Sequence, residues 1–352
     1  MNSEELYDVT IIGGGPAGLF SAFYSGLREM KTKIIEFQPF LGGKVHVYPE
    51  KMIWDIGGLT PVTGERLIEQ LIQQGMTFNP KLALGEKVTS INKGGDGNFI
   101  ISTSANNKHF SKTVILAVGG GIINPTKLDI EGAERFEISN LHYTVKSLER
   151  FKNKTVLISG GGNAAIDWAN ELEPIAKKVY LTYRKDMLKG HEAEVSRLFN
   201  SSIECLLNTS IEKLIASNDH ERIEKVELLS IEDGNIIQLP VDEVIINHGY
   251  DRDKELTSNS GLNIEMANEY SIAGSPLSET SVEGLYAAGD ILNHEGKLHL
   301  IAGAFQDAAN AVNKAKQYVI PDAYEYGMVS SHNDIFKEKN KELVKHLYVA
   351  KN

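Results

Sequence analysis

Short apolar runs that end in glycine-rich turns dominate the hydrophobic pattern of the chain. The run Val9 to Ile12 predicts a buried strand, and glycines follow it at positions 13, 15 and 18 before a helical segment continues from Leu19. The next predicted strand is Lys33-Ile34-Ile35-Glu36, which ends in an acid. This order of strand, glycine turn, helix and second strand predicts a unit that binds a dinucleotide.

Each part of this turn has a chemical role. Gly13 permits the tight turn, Gly15 lets the backbone approach a pyrophosphate, and Gly18 lets the helix pack closely on the strand. The helix-like segment follows from Leu19, and the unpaired N–H groups at the helix start face the phosphates. A carboxylate at the end of the second strand can accept hydrogen bonds from a ribose hydroxyl. A glycine-rich turn without a ligand is the alternative.

The same pattern recurs 147 residues later. A predicted strand, Lys154 to Ser159, leads into a turn with Gly160, Gly162 and Ala165, and a helix follows from Ile166. In place of Glu36 the second copy has Tyr183, followed by two cations. Cations suit a ribose 2′-phosphate, which an acid would repel, so the second copy predicts an NADP site. The alternative is a solvated strand end. The residues assigned to NADP are Gly160, Gly162, Asn163, Ala164, Arg184 and Lys185.

The remaining apolar runs define the domains. Strand candidates up to residue 118 end in three glycines at 119–121, and a later strand candidate, Glu243 to Asn247, ends near Gly249. We expect an α/β fold of two Rossmann-like, three-layer ββα dinucleotide-binding domains, with the NADP domain inserted in the first domain. The predicted first domain is 1–120 and 249–320, the NADP domain is 121–248, and 321–352 is a C-terminal extension.

Composition narrows the function further. The chain has 352 residues, 41% of them hydrophobic, with a net charge of −11, which argues against broad nucleic-acid binding. No apolar run approaches the roughly 18 residues of a membrane span, and the start lacks a signal peptide. Cys205 is the single cysteine, so neither an internal disulfide nor an internal dithiol centre can form. We expect a cytoplasmic protein without a metal site or a membrane contact.

The segment Gly284 to Asp290, of the form G-x-x-A-A-G-D, joins the two glycine turns in one recognisable set. With it the chain resembles the low-molecular-weight thioredoxin reductases, in which the first turn holds FAD and the second NADPH. Those enzymes carry C-x-x-C before the second turn, whereas His142 to Ser147 here contains no cysteine. The chain is more similar to the thioredoxin-reductase-like ferredoxin–NADP(+) reductases, through Gly42-Gly43-Lys44, Trp54 to Gly58 and Val329 to His332.

This resemblance implies roles for individual residues. Tyr48 would stack on one flavin face, and His332 or its rival Phe336, from the partner subunit of a homodimer, would cover the other. Ordinary surface or loop roles for Tyr48, Asp55 and His332 remain alternatives. The resemblance assigns FAD to Gly13, Gly15, Pro16, Ala17, Gly18, Glu36, Gly43, Lys44, Tyr48, Asp55, Val88, Gly119, Asp290 and His332.

The resemblance also implies a reaction. Hydride passes between NADPH and flavin N5, and single electrons pass to or from ferredoxin or flavodoxin, without a catalytic acid or base from the protein. Two alternatives stay open at this point. One is a cysteine-less NADPH oxidoreductase that reduces a quinone or another small acceptor, and the other is a flavin-binding sensor that does not turn over.

Overall fold

The structure is a computed structural model, and it describes residues 5–121, 123–252, 255–327, 329–334, 336–337, 340–341 and 344. The chain forms two compact units. The first consists of Met1–His46, Met52–Ile122 and Arg252–Asn352, and the second of Val47–Lys51 and Ile123–Asp251. The segment Val47–Lys51, which the sequence pattern assigned to the FAD domain, therefore belongs to the second unit.

The described chain contains 21 strands and six α-helices. In chain order the strands are β1 (Leu6–Ile12), β2 (Thr32–Glu36), β3 (Met52–Ile53), β4 (Val62–Thr63), β5 (Lys81–Leu84), β6 (Val88–Lys93), β7 (Phe99–Thr103), β8 (Lys108–Leu116), β9 (Ile123–Pro125), β10 (Leu141–His142), β11 (Thr155–Ser159), β12 (Lys178–Tyr183), β13 (Glu204–Leu207), β14 (Thr209–Ala216), β15 (Ile223–Ser230), β16 (Ile236–Pro240), β17 (Glu243–Ile246), β18 (Tyr250–Arg252), β19 (Ile272–Ala273), β20 (Leu285–Ala287) and β21 (Leu292–Asn293). The helices are α1 (Pro16–Leu27), α2 (Gly64–Gly75), α3 (Asn163–Leu172), α4 (Glu192–Phe199), α5 (Glu255–Ser258) and α6 (Ile301–Val319).

A mainly parallel sheet forms the centre of the first unit. Its strand order is β5-β2-β1-β8-β7-β6, and β20 also pairs with β8. β1, β8 and β20 run parallel, so that Ile12, Leu116 and Ala287 lie side by side where the three strands end. The glycine turn after β1 and Gly289 after β20 therefore meet at the same edge of the sheet, which is where ligands bind in such folds.

Both faces of this sheet are buried. Ile11 and Ile34 point to the face covered by α1, α2 and α6, while Ile12 and Ile35 point to a second core on the opposite face. Successive residues of a strand point to opposite faces. A strand buried on both sides therefore favours apolar residues on both faces, which explains the adjacent apolar residues Ile11-Ile12 and Ile34-Ile35.

The second unit repeats this plan with a parallel sheet of order β10-β17-β11-β12-β13. Ile158 and Ile245 face a core that includes residues of α3 and α4. Leu157 and Val244 face the other way, toward a second, antiparallel sheet of order β14-β15-β16. The layers of this unit are thus sheet, sheet and helices, the three-layer ββα arrangement that the sequence predicted.

The internal repeat is visible in the element boundaries. α1 begins at Pro16 and α3 at Asn163, and β2 ends at Glu36 and β12 at Tyr183, so that both pairs are 147 residues apart. The sequence pattern did not predict β14, which has a register shift between Ile211 and Lys213. Such an irregularity breaks the alternation by which a strand is recognised. No helix in the described part of the chain is long and apolar enough to cross a membrane.

Candidate functional site

The glycine turn of the first unit packs α1 directly against the end of β1. Gly13 has a φ of +109°, and a Cβ built on it would lie 2.4 Å from the carbonyl oxygen of Ala117. A Cβ on Gly18 would lie 1.9 Å from the carbonyl oxygen of Gly13. Both distances are far inside van der Waals contact, so only glycine fits at either position.

The start of α1 is open to an anion. Gly15 is the N-cap residue, Pro16 follows as the first helical residue, and no side chain caps the helix by a hydrogen bond. The first-turn N–H groups of a helix have no partner within the helix, and they carry its positive end. This uncapped start fits a pyrophosphate.

Glu36, which ends β2, lies over the glycine turn. The amide nitrogens of Gly14 and Gln38 donate to its two carboxylate oxygens, over 2.6 and 2.8 Å. An ionised carboxylate has about four acceptor positions, so two remain for a ribose hydroxyl. Glu36 is 9% exposed, and the orientation of its side chain is set by the backbone of the turn.

Two further loops of the first unit meet this turn. A Cβ on Gly43 would lie 2.7 Å from the Cα of Gly15, and a Cβ on Gly289 would lie 3.1 Å from the Cβ of Ala17. Lys44 and Asp290, which follow these two glycines, are both exposed. The predicted residues Gly43, Lys44 and Asp290 are thus brought to the start of α1, although they are distant in sequence.

The other residues that the resemblance assigned to FAD differ in accessibility. The side chain of Val88 is 7% exposed and belongs to the apolar core on one face of the sheet, so that only its backbone can serve a ligand. Asp55 is exposed, and Gly119 has a φ of +59° with no atom near its Cβ position. Their roles as flavin contacts stay predictions.

Tyr48 lies in the second unit, where it packs against the apolar core below α3. The segment around it is held by polar contacts within the same unit. Lys51 lies 2.9 Å from Asp167 and 3.6 Å from Glu171, both on α3. The ion pairs of Lys51 thus tie the segment that carries Tyr48 to α3. Stacking of Tyr48 on a flavin stays a prediction.

Part of the C-terminal extension is fixed to the first unit. Arg28 donates to the carbonyl oxygen of Tyr324 over 2.5 Å, and Phe336 packs its ring 5.5 Å from that of Phe78 and 6.5 Å from that of Phe23. His332, in contrast, is exposed. Of the two rival residues, Phe336 is therefore engaged within its own chain and His332 is accessible.

The second glycine turn has the geometry of the first. Gly160 has a φ of +153°, and a Cβ on it would lie 2.5 Å from the carbonyl oxygen of Asn247. The ring of Tyr183 fills the space over Gly161, where a Cβ would lie 2.4 Å from the ring. Gly162 is the uncapped N-cap residue of α3, so this helix start is also open to phosphate.

The remaining NADP candidates surround this helix start. Asn163 accepts a hydrogen bond from the amide of His191 over 2.9 Å, which ties the turn to the start of α4. Ala164 is exposed on the first turn of α3. Arg184 and Lys185 are both exposed directly after β12. A cationic pair with this exposure, at the strand end beside the turn, fits a 2′-phosphate.

His248 is a polar residue of this site that the sequence pattern did not single out. Its Nε2 lies 2.8 Å from the hydroxyl oxygen of Ser159, the last residue of β11. Burial lowers the pKa of His248, and the nearby positive charge of Arg184 lowers it further. The ring is therefore neutral near pH 7. Its position after a parallel strand, at the edge where ligands bind, was the available sequence signal.

The whole chain was then compared with known proteins. Residues 7–315 match the pyridine nucleotide-disulphide oxidoreductase family. The chain belongs to this family. It is 71% identical over 347 residues to ferredoxin–NADP reductase 1 of Bacillus thuringiensis strain Al Hakam, with 99% of each chain covered. It is 66% identical over 349 residues to ferredoxin–NADP reductase 1 of Bacillus licheniformis, which covers 99% of this chain and 100% of the relative.

The structural comparison agrees with this membership in the pyridine nucleotide-disulphide oxidoreductase family. Lactococcus lactis thioredoxin reductase, in its FR conformation, matches with a TM-score of 0.73 and 26% identity over 90% of this chain and 99% of that chain. The predicted family resemblance and the predicted α/β fold of two Rossmann-like domains are confirmed. The family name mentions disulphides, yet Cys205 is the single cysteine, and burial raises its pKa.

Proposed function

We propose that this chain is an FAD-dependent ferredoxin (or flavodoxin)–NADP(+) oxidoreductase. The observation that carries the proposal is that two glycine turns share one geometry but carry opposite charge, Glu36 beside the first and Arg184 with Lys185 beside the second. As a member of its family the chain is an oxidoreductase that uses FAD and NADP(H). Its high identity to proteins named ferredoxin–NADP reductase supports ferredoxin as the electron partner.

The first unit fits FAD. The start of α1 would take the pyrophosphate, and Glu36 would accept hydrogen bonds from the adenosine ribose. Asp290 follows Gly289 at the same strand edge, where its exposed carboxylate would bind the hydroxyls of the ribityl chain. Glu36 is positioned by hydrogen bonds from the protein's own backbone, at Gly14 and Gln38.

The second unit fits NADPH. The start of α3 would take its pyrophosphate, and Arg184 and Lys185 would bind the 2′-phosphate by charge-assisted hydrogen bonds. The aromatic ring of Tyr183 occupies the position of Glu36 and carries no negative charge to repel this phosphate. The two units therefore select different dinucleotides by the residues at the end of their second strands.

The protein supplies binding and orientation rather than acid or base catalysis. When bound in the first unit, FAD would supply the exchange of two electrons with a nicotinamide and of one electron at a time with a carrier. A single, half-buried cysteine cannot form the dithiol that a disulphide reductase of this family uses, so no cysteine pair of this chain relays electrons. The electrons leave for an external one-electron carrier.

The accessible His332 supports a homodimer in which the extension of one subunit covers the flavin of the other. Phe336 and the contacts of Arg28 fix the extension to its own subunit, while His332 stays exposed. We propose His332 over Phe336 for the flavin contact. A cytoplasmic location and flavodoxin as a second carrier complete the proposal.

Steady-state kinetics test the function. NADPH oxidation coupled to cytochrome c reduction would be measured with and without added ferredoxin, and with a quinone in place of ferredoxin. We expect ferredoxin to stimulate cytochrome c reduction at moderate salt. No stimulation by ferredoxin, together with efficient quinone reduction, would replace this proposal with the small-acceptor alternative.

A further inference from the structure

The first unit contains a buried group of titratable side chains that the predicted sites do not include. Lys297 donates to Oδ2 of Asp307 on α6, and the side chains of the two are 3% and 6% exposed. His294 lies beside them, with its Nε2 3.7 Å from Oδ1 of Asp307. An ion pair with this degree of burial is costly to desolvate, so it needs further hydrogen bonds to be maintained.

The additional hydrogen bond comes from the backbone of the predicted FAD site. The amide nitrogen of Gly289 donates to Oδ2 of Asp307 over 2.9 Å. Gly289 has a φ of +80°, and a Cβ on it would lie 3.1 Å from the Cβ of Ala17, in the first turn of α1. Asp307 therefore fixes Gly289, which follows β20 in the chain and packs against the start of α1. Asp290 is the next residue.

The loop that carries Lys297 and His294 is itself packed tightly on α6. A Cβ on Gly303 would lie 2.2 Å from the carbonyl oxygen of Leu298, which shows how closely the loop approaches the helix. Nε2 of His294 is buried and has no hydrogen-bond partner in the described part of the chain. The buried carboxylate is thus enclosed by the loop, the helix and the Gly289 turn, and Lys297 forms an ion pair with it.

We propose that Asp307 is a positioning residue for FAD. Its carboxylate fixes the amide of Gly289 and so places Asp290 against the flavin side of the site, while Lys297 supplies the charge that keeps this carboxylate buried. The inference rests on the proposed function in one respect, namely that FAD occupies the first glycine turn. It assigns no chemistry to Asp307, since the residue acts only through the Gly289 backbone.

Two double variants separate the hydrogen bond from the ion pair. Asp307→Asn with Lys297→Met removes both charges but keeps an oxygen for the amide of Gly289, whereas Asp307→Leu with Lys297→Met removes that acceptor as well. The dissociation constant of FAD would be measured by flavin fluorescence on the full-length apoprotein, together with the absorbance spectrum of the bound flavin. Glu243→Gln, a buried carboxylate of the second unit, is the control for lost stability.

We expect the dissociation constant of FAD to be about ten-fold higher for Asp307→Leu with Lys297→Met (the leucine pair) than for Asp307→Asn with Lys297→Met (the asparagine pair). We also expect the leucine pair to shift the absorbance spectrum of the bound flavin. We expect the control to lower the melting temperature without either effect. Equal FAD affinity and equal spectra for the two double variants would overturn the inference. So would a loss of FAD binding in Glu243→Gln that follows the fall in its melting temperature. If the leucine pair does not fold, Asp307→Ala with Lys297→Met makes the same comparison. Failure of the unmodified apoprotein to bind FAD would instead contradict the proposed function.

Discussion

The amide nitrogen of Gly14 lies 2.6 Å from Oε2 of Glu36, so the acid at the end of β2 is fixed over the glycine turn by the turn itself. In the second unit the same place is taken by Tyr183, whose ring packs on Gly161. The two glycine turns therefore have similar backbone geometry and differ in the side chain that would contact the ligand. The choice between dinucleotides lies in that difference.

Glu36→Ala tests the acid. The change removes the acceptor for the amides of Gly14 and Gln38 and for a ribose hydroxyl. Since a hydrogen bond to a charged group contributes about 1.5–3 kcal/mol, loss of the one to the ribose should raise the dissociation constant of FAD at least about ten-fold. Titration of the apoprotein with FAD measures it. Glu65→Ala, an exposed acid of α2 in the same unit, is the matched control, and equal affinity in both variants would contradict the role of Glu36.

Gly18→Ala tests the close contact between α1 and β1. The new Cβ would meet the carbonyl oxygen of Gly13 at 1.9 Å, so the helix start has to move. We expect the free energy of unfolding to fall by about 2 kcal/mol or more, as it does when a core is overpacked. We expect the protein to retain less FAD as a result. Thermal unfolding checks this. Gly95→Ala, where a Cβ meets no atom within 4 Å, should change the stability by less than about 0.5 kcal/mol.

The glycine turns could be predicted because their chemistry is local. Gly13 and Gly160 follow apolar runs directly, and the spacing to the next strand end depends only on one helix and one loop. The prediction that an acid, Glu36, ends the second strand and that cations follow Tyr183 comes from the same short segments. The repeat of 147 residues strengthened both, since two copies of one pattern are less easily accidental than one.

Other features depend on contacts that no short segment encodes. The Asp307 group joins α6, a loop and the turn after β20, and nothing in the sequence near Asp307 distinguishes it from a surface acid of a helix. His248 gained its partner Ser159 only through the pairing of β11 with β17. Tyr48 was assigned by resemblance, and the contacts of its segment with the second unit are tertiary.

Arg184→Ala tests the cofactor preference. Loss of a charge-assisted hydrogen bond to the 2′-phosphate should raise KM for NADPH about ten-fold and leave KM for NADH unchanged. Parallel kinetics with both nucleotides measure the ratio. Arg222→Ala is the control, because its side chain lies 3.4 Å from the carbonyl oxygen of Asp242, before the start of β17 and at the opposite end of the strands from the turn. An equal loss with both nucleotides would contradict the assignment of Arg184.

Glu243→Gln tests the buried charge at the other end of the second unit. The Glu243 side chain is 1% exposed, Arg150 and Lys154 form ion pairs with it, and Nε2 of His142 lies 2.6 Å from its Oε2. Burial alone would raise the pKa of Glu243, but the hydrogen bonds from His142 and Lys154 outweigh it and hold the pKa below its usual range. Removal of the charge should cost about 2 kcal/mol or more at pH 7.

The pH dependence gives this prediction its sharper form. The pKa of Glu243 is lower in the folded state than in the unfolded chain. The stabilisation of the fold by its charge is therefore complete above the ordinary glutamate pKa of about 4.3. It is lost as the pH falls through the lower folded-state pKa. Urea unfolding of wild type and Glu243→Gln should therefore differ most near pH 7 and converge in acid. Glu204→Gln, whose 53% exposed side chain pairs with Lys178 at 3.5 Å, should show little difference at any pH. A constant gap between wild type and Glu243→Gln from pH 7 into acid would show that the stabilisation does not come from the charge.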